Sequence, residues 1–306
     1  MKVFDLHCDT LACANMDGRD LRKNDGQLDL ERGTKLGAWV QTFACFLPSD
    51  LRGEEAHQNF LSQVAVFEKS LAANPDLMRR YQTGTEPVDH VCNAILSIEG
   101  GTAIGGKLEN IEKCKKLGVS YFTLVWNGDN EIAHGVGGED AGLTDFGKEA
   151  VRELERNNII VDISHLNDKG MADVFEMATR PIMATHSNIR SVHEHFRNLT
   201  DEEFRFLIDN GGLCGINYYT EFINGKPDYT PEDFHRHLDR MLELGGKDII
   251  ALGSDFDGAD MPEWLDKVEK LEGLYAHITE WYGAEIADKV FFENAHAFTE
   301  KNLIIK

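Results

Sequence analysis

The chain has 306 residues, of which 53 are acidic and 31 are basic, so its formal net charge is −22. A chain this acidic, with no run of Lys and Arg, lacks the cationic surface that non-specific nucleic-acid binding requires, and anionic membrane surfaces repel it. Apolar residues make up 42% and charged residues 27% of the sequence, which is typical of globular and not of disordered chains. No apolar run approaches the length of a membrane span.

The amino-terminal segment MKVFDLHCDTLACA resembles a secretion signal only superficially, because Asp5, His7 and Asp9 interrupt what should be its apolar region. The six cysteines are scattered and form no CxxC pair, a pattern typical of free thiols in a reducing compartment. We therefore expect a cytoplasmic protein.

Short apolar and β-branched runs recur along the chain, separated mostly by helical patterns. They predict eight strands: Val3–Leu6, Ala38–Phe46, Ala94–Ile98, Ser120–Val125, Ile159–Ile163, Pro181–Thr185, Gly212–Asn217 and Ile249–Gly253. Three of the intervening helices carry clear start signals: Asn167 as an N-cap, Thr200 with Glu203 as a capping box, and Thr230 followed by Pro231.

Strand and helix alternating eight times predicts a (β/α)8 barrel of the TIM type, with an open doubly wound sheet as the alternative. Residues 10–37 and 47–92 are expected to be insertions of loop or helix, and the tail after Asp255 is expected to be helical cover. The absence of a linker composition predicts one domain over residues 1–306.

Polar residues follow the predicted strands at the end where barrel enzymes assemble their sites. Each of these residues taken alone has an ordinary structural explanation, but six of them meet at one rim. They are three histidines and three carboxylates: His7, Asp9, Glu99, His165, His186 and Asp255. Imidazole and carboxylate ligands suit Zn²⁺, and also Mn²⁺ or Co²⁺. The set exceeds what one ion requires, which favours two metals that share a carboxylate.

Such a site suits the hydrolysis of an amide bond. Metal coordination lowers the pKa of water from about 15.7 toward neutrality, and a hydroxide held between two metals attacks a carbonyl that they polarise. Asp255 is then placed to act as a general base and acid.

The sequence resembles the membrane (renal) dipeptidases, which are zinc metallopeptidases of the amidohydrolase superfamily. The matching segments run along nearly the whole chain: FDLHCDT at 4–10, QLDLERGTKLGAWVQTF at 27–43, SIEGG at 97–101, GLTDFGKEAVREL at 142–154, VDISHLND at 161–168, ATHSNIRSV at 184–192, FRNLTDEE at 196–203 and LGSDFDG at 252–258. The HxD motif on the first strand distinguishes this family from most amidohydrolases, which carry HxH.

The resemblance implies a role for each rim residue. One zinc is held by His7, Asp9 and Glu99, and the second by Glu99, His165 and His186, so that Glu99 bridges two zinc ions per chain. The resemblance also implies that Asp255 moves the proton from the metal-bound water to the leaving amine. Arg197 matches the residue that grips the terminal carboxylate of the substrate, as a bidentate guanidinium can.

The sequence departs from the family after the fourth predicted strand, where Trp126 replaces a histidine that contacts substrate in many relatives. An indole donates one neutral hydrogen bond and carries no charge. We expect Trp126 and Asn127 to bind substrate, with Asn130 or His134 as further candidates for the missing histidine.

Two other patterns have weaker interpretations. The run GTAIGGKL at 101–108 is one residue short of a P-loop, and Leu108 stands where Ser or Thr would bind Mg²⁺. The HEH at 193–195 and the HRH at 235–237 look like metal-binding pairs, but we expect both to be surface features.

The sequence therefore predicts a binuclear zinc dipeptidase that acts on small dipeptides, with L-Xaa-D-Xaa pairs as candidate substrates. One alternative is another amidohydrolase-type reaction at the same site, such as hydrolysis of an N-acyl amino acid. A second alternative is a barrel that binds a small ligand without turnover. A homodimer is a candidate assembly, because dimers are common among soluble enzymes.

Overall fold

A computed structural model describes residues 1–305, and it contains nine strands and twelve α-helices within that range. The strands are β1 (Lys2–Asp5), β2 (Ala38–Phe46), β3 (Met78–Arg80), β4 (Cys92–Glu99), β5 (Val119–Thr123), β6 (Ile160–Asp162), β7 (Met183–Ala184), β8 (Leu213–Ile216) and β9 (Ile250–Leu252). All pairings between them are parallel.

Eight of these strands close into a ring in the order β1, β2, β4, β5, β6, β7, β8, β9, with β9 paired back to β1. Parallel neighbours need a crossover, and helices between the strands supply it. The predicted (β/α)8 barrel is therefore confirmed, and the open doubly wound sheet is excluded because it would leave two free edges.

The α-helices lie mainly outside the ring. They are α1 (Thr10–Asp17), α2 (Leu30–Gly33), α3 (Gly53–Ala73), α4 (Glu109–Lys116), α5 (Asp145–Arg156), α6 (Asp168–Met177), α7 (Asp201–Asp209), α8 (Thr220–Ile223), α9 (Pro231–Glu243), α10 (Leu271–Tyr282), α11 (Ala284–Asp288) and α12 (Asn294–Asn302). Among the helices of residues 1–305, none combines the length and the apolar character needed to cross a bilayer.

The barrel interior is packed by one layer of apolar side chains to which every strand of the ring contributes. The layer consists of Phe4, Val40, Ile95, Tyr121, Ile160, Met183, Leu213 and Ala251. Phe292 and Phe298 from the carboxyl-terminal helical segment pack against it, as the sequence predicts for the tail after Asp255. The interior is thus filled, and the functional groups stand at the opposite, carboxyl-terminal ends of the strands.

The predicted strands all exist, but β3 is an addition that the sequence pattern did not reveal. It lies within the 47–92 insertion, after α3, and pairs with the first residues of β4. Three residues carry too short a pattern to be separated from a loop.

The predicted helix starts have the predicted caps. The Asn167 side chain accepts a hydrogen bond from the Gly170 N–H at 2.8 Å. Thr200 and Glu203 form the reciprocal capping box. The Asp233 carboxylate accepts a hydrogen bond from the Thr230 N–H at 2.9 Å ahead of Pro231.

The prediction that the HRH segment lies on the surface is wrong for His237, which is fully buried. Its Nδ1 accepts a hydrogen bond from the Ile189 N–H at 3.2 Å, and its Nε2–H donates to the Ile223 carbonyl at 2.9 Å. The neighbouring His235 does lie half-exposed, stacked on Trp281. Position 237 lies on the buried face of helix α9. The two hydrogen bonds of its histidine therefore connect the helix to the segments that contain Ile189 and Ile223.

Burial lowers the pKa of His237 to about 4, which makes the fold sensitive to acid. The unfolded chain binds the proton near pH 6.5, before the folded chain does, so stability is complete above pH 6.5 and is lost as the pH falls toward 4. We expect this histidine to lower the free energy of unfolding by about 2 kcal/mol when the pH falls from 6.5 to 5. Urea unfolding of wild type and His237→Gln at both pH values measures it: the variant should lose less stability on acidification, and equal losses would contradict the assignment.

Candidate metal centre

The six candidate residues follow five strands of the ring and converge at one rim. His7 and Asp9 follow β1, and the others stand at the ends of their strands: Glu99 of β4, His165 after β6, His186 after β7 and Asp255 after β9. All six are buried, with at most 8% of any residue exposed. The structure thus brings together every residue that the sequence predicts for the metal site.

Glu99 lies at the middle of this cluster, with its two carboxylate oxygens facing different histidines. Its Oε2 is 3.4 Å from His7 Nε2, whereas its Oε1 is 2.8 Å from His165 Nε2 and 3.5 Å from His186 Nε2. His7 Nε2 is also 3.4 Å from Asp9 Oδ2. Two groups of donors, each of a size that suits one metal ion, therefore share one carboxylate.

Hydrogen bonds to the far sides of two rings fix which nitrogen of each is free. His165 Nδ1–H donates to the Asn127 side-chain oxygen at 2.8 Å. The Thr185 hydroxyl donates to Asp162 at 2.6 Å, so it accepts from His186 Nδ1–H at 2.8 Å. Both Nε2 atoms consequently present lone pairs, the arrangement that outer partners impose on metal-ligating histidines.

These lone pairs point at each other, because the two Nε2 atoms are only 2.9 Å apart and both face Glu99 Oε1. Three acceptors without a proton between them repel one another unless a cation stands among them. Ligands around a tetrahedral zinc lie roughly 3.3 Å apart, given its bond lengths of about 2.0–2.1 Å. In the second group, His7 Nε2 and Asp9 Oδ1 are buried and have no hydrogen-bond partner among residues 1–305. The donor set fits metal ions on both sides of Glu99.

The protonation equilibria of the cluster reflect its burial and crowding. Burial disfavours the protonated form of His7, but the carboxylates of Glu99 and Asp9 outweigh it and hold the His7 pKa well above its ordinary value. Burial and the charge of His7 hold the His186 pKa well below its ordinary value. Burial beside Glu99 raises the pKa of Asp9. The carboxylates give the cluster an acidic character overall, which suits the binding of a cation.

Asp255 faces the same centre from the β9 side. Its Oδ1 is 3.7 Å from His7 Nε2, and its Oδ2 accepts a hydrogen bond from the Asn217 side chain at 3.0 Å. Its backbone has a φ of 66°, a left-handed conformation that turns the chain sharply after β9 and aims the carboxylate into the barrel mouth. One carboxylate oxygen is thus held by Asn217, while the other faces the donors.

The remaining residues of the DFDG motif hold this turn in place, which the sequence analysis did not foresee. Asp257 accepts hydrogen bonds from the Thr10 hydroxyl at 2.7 Å and from the Gln27 N–H at 2.8 Å. Gly258 lies against two carboxylates of the cluster, where a Cβ atom would overlap Asp9 Oδ2 and stand 2.8 Å from Asp255 Oδ1. The glycine that follows the aspartates in the sequence could have indicated this close packing, because only glycine lets a backbone approach other atoms so closely.

Gly258→Ala is expected to displace the Asp9 carboxylate, lower metal content and reduce hydrolysis about tenfold or more, because the added methyl group has no free space. Gly273→Ala on helix α10 is the matched control, since a Cβ atom there meets no atom within 4 Å. Metal analysis and dipeptide hydrolysis of both variants make the comparison. Full metal content in Gly258→Ala would contradict the close approach.

Arg197 is 2% exposed, so it is not an ordinary surface arginine. Its two Nη atoms donate to the Ser187 hydroxyl and the His186 carbonyl, each at 2.8 Å, which ties it to the segment that carries one histidine of the cluster. Its Nε–H is buried and has no partner within the described part of the chain. Burial lowers its pKa to about 10, so it stays positively charged at neutral pH. Contact with a substrate carboxylate stays a prediction.

The donor cluster opens into a cleft of about 750 Å³. Trp126 and Asn127 line it together with Phe46, Tyr219 and Phe222. Its outer part is bounded by the 12–27 and 257–267 segments.

The two further candidates from the loop after β5 do not line the cleft. Asn130 bonds the backbone of its own loop, and its side chain donates to the Leu124 carbonyl at 2.8 Å. His134 pairs with Asp129 at 3.0 Å. Neither side chain stands where the family histidine is missing, because short-range bonds within the loop take up both.

The P-loop-like run has a structural role. Its residues 101–104 form a buried 3₁₀ turn, with the Gly101 N–H donating to the Leu124 carbonyl at 3.1 Å. Burial of this turn prevents it from wrapping a phosphate. In the HEH segment, His193 and His195 lie in a loop with their rings stacked 6.3 Å apart, as expected for a loop feature.

Two solved structures that superpose closely on this chain are metallopeptidases. A crystal structure of a metallopeptidase from Rhodobacter sphaeroides, liganded with a phosphinate mimic of the dipeptide L-Ala-D-Ala, superposes with a TM-score of 0.92 and 27% identity over 99% of each chain. The dipeptidase AC, a metallopeptidase of family M19, superposes with a TM-score of 0.92 and 28% identity over 99% of each chain. The barrel and its rim thus define the protein as a metal-dependent hydrolase.

The chain belongs to the membrane dipeptidase family, peptidase family M19, whose family model matches residues 1–301. An uncharacterized dipeptidase of Schizosaccharomyces pombe is 30% identical over 265 residues, which are 79% of this chain and 63% of that protein. A protein of Klebsiella pneumoniae, described only as encoded in the pqqA 5′ region, is 32% identical over 218 residues, 67% of this chain and 80% of that protein. The resemblance found in the sequence is confirmed, and the protein is a metallodipeptidase.

Proposed function

We propose that the protein is a binuclear zinc dipeptidase in which Glu99 bridges the two ions. The observation that carries the proposal is the division of the Glu99 carboxylate, with Oε2 facing His7 and Oε1 facing His165 and His186. Thiolates are absent from the donor set, and imidazole with carboxylate suits Zn²⁺. When bound, two zinc ions supply an activated water and polarise the scissile carbonyl.

Asp255 is proposed as the proton carrier. Its Oδ2 is held by Asn217, which leaves Oδ1 free toward the cluster to take a proton from the attacking water and return it to the leaving amine. Asp255 is 8% exposed and lines the cleft, so its carboxylate can reach a substrate bound there.

Arg197 is proposed to hold the carboxyl terminus of the substrate. Its guanidinium is charged, lies beside Phe222 of the cleft wall and retains an unpartnered buried Nε–H. Binding of a terminal carboxylate would restrict cleavage to the peptide bond nearest the carboxyl terminus, because a longer segment beyond that bond would place a neutral amide against a buried charge.

The dipeptides that we propose as substrates include L-Xaa-D-Xaa pairs, since the similar Rhodobacter sphaeroides enzyme is liganded with a mimic of L-Ala-D-Ala. N-acyl amino acids remain the second candidate class, because they share the amide and the terminal carboxylate but lack the free amine. A ligand-binding barrel without turnover is set aside by the family membership.

A screen of metal-loaded enzyme against L-L and L-D dipeptides and N-acyl amino acids tests the proposal. Chelator-sensitive release of free amino acids from dipeptides is the expected result. Hydrolysis of N-acyl amino acids alone would contradict the proposed dipeptidase function and make N-acyl amino acids the substrates.

The reducing cytoplasm is the location that we propose, since all six cysteines are free thiols and five of them are buried. A homodimer also stays a proposal, which sedimentation of the purified protein at several concentrations tests.

A further inference from the structure

Two aromatic side chains stand together on one side of the cleft. Phe46, the last residue of β2, and Trp126, which follows β5, meet edge to face with ring centroids 5.0 Å apart. Both are half-buried and both line the cleft, and the Trp126 ring lies 6.4 Å from that of His165. We call this pair the aromatic wall. Trp126 occupies the position where the family resemblance implies a histidine.

The wall stands across the barrel mouth from the arginine. Arg197 follows β7 and donates to the His186 carbonyl, just past that strand, at 2.8 Å. Phe46 ends β2, which lies four strands away from β7 in the ring of eight, and Trp126 packs against it. A substrate with its carboxylate at Arg197 and its amide bond at Glu99 therefore points its amino-terminal residue toward the wall.

The Arg and Lys side chains that line the outer cleft are already paired with the protein itself. Arg19 forms ion pairs with Asp17 at 2.7 Å and Asp257 at 3.4 Å. The Lys267 ammonium donates to the carbonyls of Asp25 and Gly26 at 2.9 and 2.8 Å. These cations have partners without a substrate, whereas the aromatic faces of the wall gain contacts only when an apolar group covers them.

We propose that the aromatic wall selects dipeptides with a large apolar or aromatic amino-terminal side chain. The inference rests on the proposed function, from which it takes the placement of the substrate carboxylate. The cleft volume of about 750 Å³ lies in the upper part of the range of roughly 300–1,000 Å³ that is common for ligand sites, and leaves room for such a side chain. An indole in place of an imidazole exchanges a polar contact for apolar area.

Two substrate series measure the preference: Gly-, Ala-, Leu- and Phe-Ala, and the mirrored Ala-Gly, Ala-Ala, Ala-Leu and Ala-Phe. For wild type, kcat/KM should rise about tenfold or more from Gly-Ala to Phe-Ala and change little along the mirrored series. That ratio should collapse toward unity in Phe46→Ala and Trp126→Ala. It should persist in Trp126→Phe, which keeps the aromatic face and loses the N–H donor.

Trp281→Ala is the matched control, because this half-exposed tryptophan on α10 stacks on His235 outside the cleft and its loss should leave the ratio as in wild type. A ratio near unity in wild type, a preference that appears only in the mirrored series, or a Trp126→Phe variant as impaired as Trp126→Ala would each overturn the inference. Failure to hydrolyse any dipeptide would instead refute the proposed function, so the two failures are distinguishable.

Discussion

Glu99→Gln is expected to lower kcat/KM for dipeptide hydrolysis by about 10³-fold or more. The carboxylate faces both donor groups, with His7 at 3.4 Å and His165 at 2.8 Å from its two oxygens. A glutamine of the same shape offers one neutral oxygen, so it serves one group at most and removes the negative charge that two cations share. Metal content should fall together with activity.

Glu109→Gln at the exposed start of α4 is the matched control and should behave as wild type in both measurements. Elemental analysis after dialysis against a weak chelator gives the metal content, and the rate of dipeptide cleavage gives the activity. If Glu99→Gln kept two equivalents of metal and full activity, the shared carboxylate would have no part in the site.

Asp255→Asn is expected to lower kcat by about 10²- to 10⁴-fold, with KM within a few-fold of wild type and the metal retained. The amide side chain fits the same space and can still bond Asn217, but it cannot accept a proton. An unequal effect on kcat and KM is what distinguishes loss of a proton carrier from loss of a binding contact.

Asp209→Asn at the exposed end of α7 removes a carboxylate far from the rim and should leave both constants unchanged. The pH dependence of kcat adds a second readout, because the limb that belongs to the base should disappear in Asp255→Asn. Turnover within tenfold of wild type would assign proton transfer to another group.

The barrel could be predicted from the sequence because each ring strand is buried and reads as a short apolar run. The order of these runs along the chain also gives the positions of the rim residues, since each follows its strand directly. Strand β3 escaped detection because three residues show no periodicity. His237 was assigned to the surface because its spacing from His235 says nothing about which face of α9 is covered, and packing against Ile189 and Ile223 decides that.

The sequence predicts the candidate metal ligands, but it does not predict the residues that hold those ligands in place. Imidazoles and carboxylates carry a chemical signature, whereas Asn127, Thr185 and Asp162 are common polar residues whose role depends on a contact with a histidine ring. Trp126 likewise forms a wall of the cleft only together with Phe46, which lies 80 positions earlier in the chain. Pairings across the ring of strands supply this information, and a linear pattern does not contain it.

The central claim is that one carboxylate, Glu99, holds two zinc ions, and anomalous scattering at the zinc edge from crystals of the metal-loaded protein tests it most directly. Two anomalous peaks about 3.5–4 Å apart are expected, each within about 2.2 Å of a different Glu99 oxygen. One peak should adjoin His7 and Asp9, and the other should adjoin His165 and His186. A single peak, or two peaks of which neither contacts Glu99, would contradict the claim.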